Sequence, residues 1–274
     1  MPASSRVDEA LASNLPRSLG RNEKRALLQR AAAAEHVLLL LDYDGTLVPF
    51  AARPELARPD AALIELLRAL AAAPRFEVHV VSGRPRQNLE DWLGALPLGL
   101  HAEHGLWSRL CGGDWRLAAT VESSWQARAL SVLEQFVSCT PGSFIEQKTA
   151  SLAWHYRRCD PESGERQARE LKLDLAHALG NAPVAVLAGN KVVELQPRGV
   201  HKGTVTAAVC GAAPGAFVIA AGDDETDENL FAALPRGAVS LHVGSRPSKA
   251  HYNLRHHRAV RRLLQALADS ASAV

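Results

Sequence analysis

The stretch Val37-Leu38-Leu39-Leu40-Leu41-Asp42-Tyr43-Asp44-Gly45-Thr46-Leu47 decides how the chain is read. Five consecutive apolar residues predict a strand buried on both faces, as in a parallel sheet covered by helices. The strand runs directly into two carboxylates one residue apart, and Gly45 then lets the chain turn sharply. In an open α/β sheet ligands bind at the carboxyl ends of the strands, so the acidic pair falls in the expected crevice. Side chains alternate along an extended strand, but where it opens into a loop Asp42 and Asp44 can turn toward one bound group. Two acids there can divide labour, an ionised one attacking phosphorus and a protonated one delivering its proton to the leaving oxygen. The plainer reading is an Asp-Gly turn with a solvated aspartate beside it.

Outward from this strand the chain alternates strand and helix. Upstream, residues 1 to about 20 read as a loosely held leader, and Ala26, Leu27, Leu28, Ala31 and Ala32 trace the apolar face of a helix from Asn22 to near Glu35. Downstream, Asp60 is an N-cap for a helix carrying Leu63, Leu66, Leu67 and Leu70, which Pro74 stops. The next strand, Phe76 to Val81, ends at Ser82-Gly83-Arg84, and Pro85 suits the first turn of a further helix. Ser82 can donate its hydroxyl to a phosphate, Gly83 permits close approach of the backbone, and the helix start favours an anion. An ordinary strand-to-helix turn with a serine cap fits the same residues. Gly99 to Gly105 reads as a short strand with a charged tip, and Gly112-Gly113 as the turn of a hairpin. His101 and His104 stand three apart with no third ligand at suitable spacing, which argues against metal binding by them.

Between about 110 and 196 the pattern changes to helices near 122–137 and 162–179 alternating with strands, which predicts a small α+β sandwich inserted into the larger sheet. The fold class is therefore α/β, with a parallel Rossmann-like core formed by 1–109 and 197–274 and an insert at 110–196. The core resumes with Lys202 opening a helix, a position that opposes the helix dipole unless an anion sits beside it. A second buried strand, Phe217 to Ala221, ends in Gly222-Asp223-Asp224-Glu225-Thr226-Asp227-Glu228. Five acids in so short a run repel one another without a cation, and hard carboxylate oxygens suit Mg²⁺. An acidic helix N-terminus accounts for Glu225, Asp227 and Glu228 but poorly for Asp223, which is assigned to the metal. A last strand, Ala238 to Gly244, and an amphipathic helix through Leu267 close the chain, with a frayed tail expected after Ala268.

At 274 residues the chain suits a core with a smaller insert. Its 31 Lys and Arg nearly balance 29 Asp and Glu, for a net charge of +2, so nothing favours nucleic acid or an anionic membrane as partner. Four scattered cysteines without a C-x-x-C pair argue against a zinc knuckle or redox dithiol and suit a cytoplasmic location. No apolar run has the length of a signal peptide or a membrane span. The expected partner is a small molecule and the expected state a monomer.

Asp42-Tyr43-Asp44-Gly45-Thr46-Leu47 resembles the first motif of the haloacid dehalogenase superfamily, and Ser82, Lys202 and Asp223 follow in the order of its other three. Glu103-His104-Gly105 and the run Gly222 to Glu228 with Phe231 resemble the trehalose-6-phosphate phosphatase branch of that superfamily. So do Glu146-Gln147-Lys148, His155-Tyr156-Arg157 and Lys191-Val192-Val193-Glu194 in the insert. The resemblance implies a Mg²⁺-dependent phosphatase acting on trehalose 6-phosphate. Asp42 would be the nucleophile and Asp44 the acid and base. Ser82, Gly83 and Lys202 would hold phosphate, and Asp42, the Asp44 carbonyl and Asp223 would hold the metal, with Asp227 behind them. Arg84, His104, Glu146, Lys148, Arg157, Lys191 and Glu194 would contact substrate, and the insert would act as a cap reading sugar hydroxyls. A trehalose-phosphate synthase is an implied functional companion. A related phosphosugar phosphatase or mutase would share the core motifs and differ in the cap. A non-catalytic phosphosugar-binding module would be expected to have lost Asp42 or Asp223, and both are present.

Overall fold

A computed structural model describes residues 16–118 and 122–272. The first part of the core runs β1 (Arg17–Ser18), α1 (Arg21–Ala33), β2 (Val37–Leu41), α2 (Ala61–Ala72), β3 (Phe76–Val81), α3 (Arg86–Leu93), β4 (Gly99–Ala102), β5 (Trp107–Arg109) and β6 (Arg116–Leu117). An insert follows with α4 (Gln126–Cys139), β7 (Phe144–Gln147), β8 (Leu152–His155), α5 (Pro161–Leu179), β9 (Val184–Gly189) and β10 (Val192–Pro197). The core is completed by α6 (Lys202–Ala212), β11 (Phe217–Gly222), α7 (Glu225–Ala232), β12 (Val239–Val243), β13 (Tyr252–Leu254) and α8 (His257–Ser272).

The apolar run is the middle of the sheet. Strand order is β1-β13-β12-β11-β2-β3-β4-β5-β6, parallel from β1 through β4 and antiparallel at β5. Val37, Leu39 and Leu41 enter one apolar layer with α2 and α8, while Leu38 and Leu40 enter the other with α6 and α7. All five are at most 1% exposed. Because both faces are apolar, a one-residue slip would cost little hydrophobic burial, so the pattern of faces alone does not set the register. Backbone bonds extend the pairing at both ends: the His36 carbonyl accepts the Phe217 amide, and the Asp42 amide donates to the Ala221 carbonyl at 2.9 Å.

The register then decides the site. Leu41 pairs with Ala221 of β11 and Val80 of β3, so the residues just beyond, Asp42, Asp223 and Ser82, leave the sheet on the same edge.

By its internal packing the chain divides into 1–116 with 201–274, and 117–200. These divisions fall a few residues beyond 109/110 and 196/197. Trp115 explains the first: its indole donates to Glu90 of α3 at 2.6 Å, and Arg109 pairs with the same carboxylate at 2.8 Å, tying the segment to the core. In the insert, the antiparallel order β7-β8-β10-β9 has one face covered by α4 and α5 around Trp125, Leu133, Trp154 and Leu171. Most of the expected leader lies outside the described residues; Arg17–Ser18 add a two-residue edge strand beside Tyr252 and Asn253. Where fraying is expected after Ala268, α8 continues to Ser272 with Ala268 buried, and 273–274 lie outside the described residues. No helix among the described residues is long and apolar enough to cross a membrane.

Sheet interior also holds a polar chain. His79 Nδ1 lies 2.9 Å from His101 Nε2, His79 Nε2 is 2.8 Å from Glu77, and His101 Nδ1 is 2.9 Å from Ser108 Oγ. Gly99 makes room, since a Cβ there would lie 2.1 Å from His79 Nδ1. Burial pushes the His101 imidazole down to about 3, with His79 adding to the effect, and burial lowers His79 as well. A folded ring that binds its proton more weakly than the unfolded one contributes stability that is complete above about pH 6.5 and declines as pH falls toward the folded value. The thermal midpoint is therefore expected to drop progressively from about pH 6.5 to about pH 4.5. Differential scanning calorimetry across that window checks it, with a shallower slope expected for His101→Gln.

Candidate active site

Three loops at the carboxyl edge of the sheet and the first turn of α6 supply the site. Asp42 is 4% exposed and Lys202 2%, and the Lys202 ammonium donates to Asp42 Oδ1 at 2.6 Å and to Asp227 Oδ1 at 2.7 Å. The helix-start position of Lys202 is thus matched by two carboxylates of the chain itself. Burial alone would pull the ammonium down, but the charges of Asp227 and Asp42 reverse this and hold it well above its usual range. Asp42 is raised by burial and by Asp224 and Asp44, against the pull of Lys202. Asp223 is raised well above the carboxylate range, first by burial and then by Asp42 and Asp224.

Asp227 is fully enclosed and satisfied by protein donors. Its Oδ1 takes Lys202, and its Oδ2 takes the amides of Asp223 at 2.9 Å and Asp224 at 3.1 Å. Asp224 caps α7, accepting the Thr226 amide and hydroxyl at 2.9 and 2.6 Å. The cap of this helix is therefore made by Asp224 and Asp227, whereas Glu228 accepts the Lys249 amide at 2.9 Å.

Asp42, Asp223 and Asp227 can each offer an oxygen within 4.8 Å of the others. Since both oxygens of Asp227 already accept, Asp42 and Asp223 are the two with capacity to spare. Asp42 Oδ2 is buried and has no hydrogen-bond partner among the described residues. An orphaned carboxylate oxygen beside a second acid is what a hard divalent cation would satisfy, so the donor set fits Mg²⁺. Gly45 is at φ +82°, and a Cβ there would stand 2.4 Å from Asp223 Oδ2.

Ser82 is 1% exposed, and its Oγ accepts the Arg84 amide at 3.2 Å, which leaves the hydroxyl hydrogen to donate. Gly83 is held small by His104, whose ring would lie 2.7 Å from a Cβ at that position. His104 and Glu103 both adopt left-handed backbone, at φ 59° and 49°, followed by Gly105 at 102°. Asp44 is gripped by Arg84: Nε donates to Oδ2 at 2.7 Å and Nη2 to Oδ1 at 2.6 Å. Arg84 is 8% exposed, so this is no surface salt bridge.

In the insert, register places Glu146, Ala153 and Glu194 in one row across β7, β8 and β10. Glu146 accepts from His155 at 2.9 Å and Lys148 donates to Glu194 at 2.6 Å. Burial would raise Glu146, but its bond to His155 and the charge of Lys148 outweigh that and lower it. Arg157 and Lys191 stand apart from this group. Arg157 bonds the Asn190 carbonyl at 2.6 Å, and Lys191, at φ 61°, bonds Glu165 of α5 at 2.6 Å. His155, quoted in the motif His155-Tyr156-Arg157 but given no role there, lies by alternation along β8 on the face of Ala153, two residues from the row that holds Glu146 and Glu194.

The core has the fold of the haloacid-dehalogenase-like hydrolases: such a hydrolase from Bacteroides thetaiotaomicron matches with a TM-score of 0.61, at 14% identity, over 84% of this chain and 98% of its own. The trehalose-phosphatase family model matches residues 40–270, and the chain belongs to that family. A bifunctional trehalose-6-phosphate synthase/phosphatase of Thermoproteus tenax is 45% identical over 236 residues, covering 86% of this chain and 32% of the relative. The C-terminal domain of a C. albicans trehalose-6-phosphate phosphatase matches with a TM-score of 0.88 and 30% identity over 93% of this chain and 99% of that one. The chain spans between a quarter and a third of the length of the curated relatives it matches.

Lys202→Met removes the cation that pairs with the two buried carboxylates Asp42 and Asp227. Leaving buried charges unpaired costs about 3–5 kcal/mol, and a loss of that size is expected in urea unfolding at neutral pH. Lys202→Arg, which keeps the charge, is expected to lose less.

Proposed function

We propose that this chain hydrolyses trehalose 6-phosphate to trehalose and phosphate through an aspartyl-phosphate. The observation that carries the reading is the unpartnered Oδ2 of Asp42, buried beside Lys202 and Asp223 in a member of the trehalose-phosphatase family. The Asp42 carboxylate attacks phosphorus, forming an acyl-phosphate bond while the bond from phosphorus to the sugar oxygen breaks. Asp44 gives its proton to that departing oxygen. Water then attacks phosphorus and passes a proton to Asp44, and the phosphorus bond to Asp42 breaks to restore the carboxylate. Ser82 donates its hydroxyl to a phosphoryl oxygen, the Gly83 amide lies in the same loop, and the Lys202 ammonium offsets the charge of nucleophile and phosphate together. His104, packed on Gly83, keeps that loop in place.

The carboxylates of Asp42 and Asp223 and the backbone carbonyl of Asp44 are the groups that would hold Mg²⁺. When bound, the ion supplies positive charge that lets two anions approach and neutralises phosphoryl oxygens. Asp227 serves by orienting Lys202 and the amides of Asp223 and Asp224.

Recognition of the sugar is assigned to the insert, acting as a cap. Glu146, Lys148, Glu194 and His155 offer acceptors and donors suited to hydroxyls, with Arg157 and Lys191 at the end of the same sheet. Four cysteines without disulfides accord with a cytoplasmic setting. Monomeric action alongside a trehalose-phosphate synthase completes the reading; the Thermoproteus tenax relative is named for both activities.

Purified protein with Mg²⁺ is expected to release phosphate from trehalose 6-phosphate in strong preference to glucose, mannose or sucrose 6-phosphate, and Asp42→Asn is expected to release none. Preference for another ester overturns the assigned substrate, and binding of these esters without phosphate release overturns the enzyme. Glu146→Ala is expected to lower kcat/KM for trehalose 6-phosphate by about 10- to 100-fold, the worth of a hydrogen bond to a charged group. The same variant should leave p-nitrophenyl phosphate turnover unchanged.

A further inference from the structure

Both oxygens of Asp44 are occupied by one guanidinium, and that guanidinium is itself fixed on every side. Its Nη1 donates to the Pro54 carbonyl, and its face lies 5.2 Å from the centre of the Trp92 ring. Trp92 stacks on Tyr43 at 5.6 Å, and the Tyr43 hydroxyl reaches the Ala57 carbonyl at 2.9 Å. The backbone of Arg84 is anchored as well, its amide on Ser82 Oγ and its carbonyl accepting from Glu103 at 3.0 Å. Arg84 thus joins the loop that carries Asp44, the loop that carries Ser82, and the segment from Pro54 to Ala57.

A carboxyl group that must hand a proton to one particular oxygen needs a fixed plane and a fixed rotamer, because proton transfer tolerates little misplacement. A two-point guanidinium clamp supplies both, where a lysine would act as a point charge free to swing. The Asp44 side chain remains 27% exposed under this clamp, so part of it still meets solvent.

We propose that Arg84 is the positioning residue for Asp44, acting on departure of the sugar oxygen through that carboxylate and making no contact with the sugar. This rests on the role given to Asp44 above. It separates Arg84 from groups that hold phosphate or sugar. Loss of the clamp affects both steps that use Asp44: departure of the leaving group, in measure with how poorly it leaves without a proton, and attack of water on the aspartyl-phosphate, which is the same for every ester.

The experiment compares wild type, Arg84→Ala, Arg84→Lys, Asp44→Asn and the Arg84→Ala/Asp44→Asn double variant, in the first turnover and at steady state, on trehalose 6-phosphate and p-nitrophenyl phosphate, whose phenolate leaves without protonation. Arg84→Ala is expected to lower kcat for the sugar ester by about 100-fold, the lower range for general acid–base catalysis, with KM little changed. In the first turnover its release of p-nitrophenolate should stay within about threefold of wild type, since that bond breaks without a proton, whereas hydrolysis of the aspartyl-phosphate, common to both esters, uses Asp44 as base and slows on either. Arg84→Lys, keeping charge without the fork, should fall between. The double variant should be no slower than Asp44→Asn alone, the mark of two residues acting as one unit.

A rise in KM for the sugar ester at unchanged kcat would make Arg84 a substrate contact and overturn the proposal. Equal losses on both esters in the first turnover would reduce it to a scaffold residue, and additive losses in the double variant would separate it from Asp44. If Asp44→Asn slows the first turnover of the two esters alike, the role given to Asp44 in leaving-group departure fails first and the inference with it. A wild type that prefers another sugar ester changes only the substrate, and the same comparison then runs on that ester.

Discussion

The buried ammonium of Lys202 between Asp42 and Asp227 is the interaction on which the rest of the site depends. A carboxylate at the end of a fully apolar strand pays a large desolvation cost, and at 4% exposure Asp42 meets little solvent to offset it. Lys202 makes the position tenable. Lys202 in turn needs a second anion, and Asp227 provides it from the first turn of α7 while bonding the amides of Asp223 and Asp224. One cation therefore couples the ends of β2 and β11 to the starts of α6 and α7. The glycines around it follow: a Cβ at Gly222 would sit 2.2 Å from Asp227 Cγ, and one at Gly203 would sit 2.6 Å from the Asn229 carbonyl oxygen.

The same edge of the sheet stores backbone strain. Glu103 and His104, neither a glycine, hold left-handed conformations that cost on the order of 1–3 kcal/mol each. Their reward is placement of the His104 ring against Gly83, which fixes the loop that presents Ser82. A sheet whose central strand is apolar on both faces can carry such local losses, since full burial of each leucine is worth about 1.5–3 kcal/mol. Stability comes from the layers above and below β2, and strain collects only where its carboxyl end meets the loops.

Two polar clusters differ in a way that matches the roles proposed for them. In the core, Asp42, Lys202 and Asp227 are nearly inaccessible and carry formal charge, an environment that strengthens electrostatic interactions with an anion. In the insert, Glu146 and His155 are each about a fifth exposed and joined to each other, so their hydrogen-bonding capacity stays open to an uncharged ligand. Charge burial suits phosphoryl chemistry, and partial exposure suits reading of hydroxyls.

Much of this was legible in the residues. The run Val37 to Leu41 could only be a strand covered on both sides, and alternating strands and helices around it required a parallel sheet. Asp42, Ser82 and Asp223 each follow an apolar run, so local pattern alone sends them to strand ends. What sequence could not supply was register and long-range partnership. That Asp42, Ser82 and Asp223 share an edge depends on Leu41 lying opposite Ala221 and Val80. Lys202 looked out of place at a helix start because its two carboxylates stand 160 and 25 residues away. Arg84 is placed by resemblance among the substrate contacts, since its grip on Asp44 spans 40 residues and leaves no local pattern. Local chemistry determined which residues can act; only tertiary packing decided which charges face one another, because electrostatic partners are chosen by distance in space.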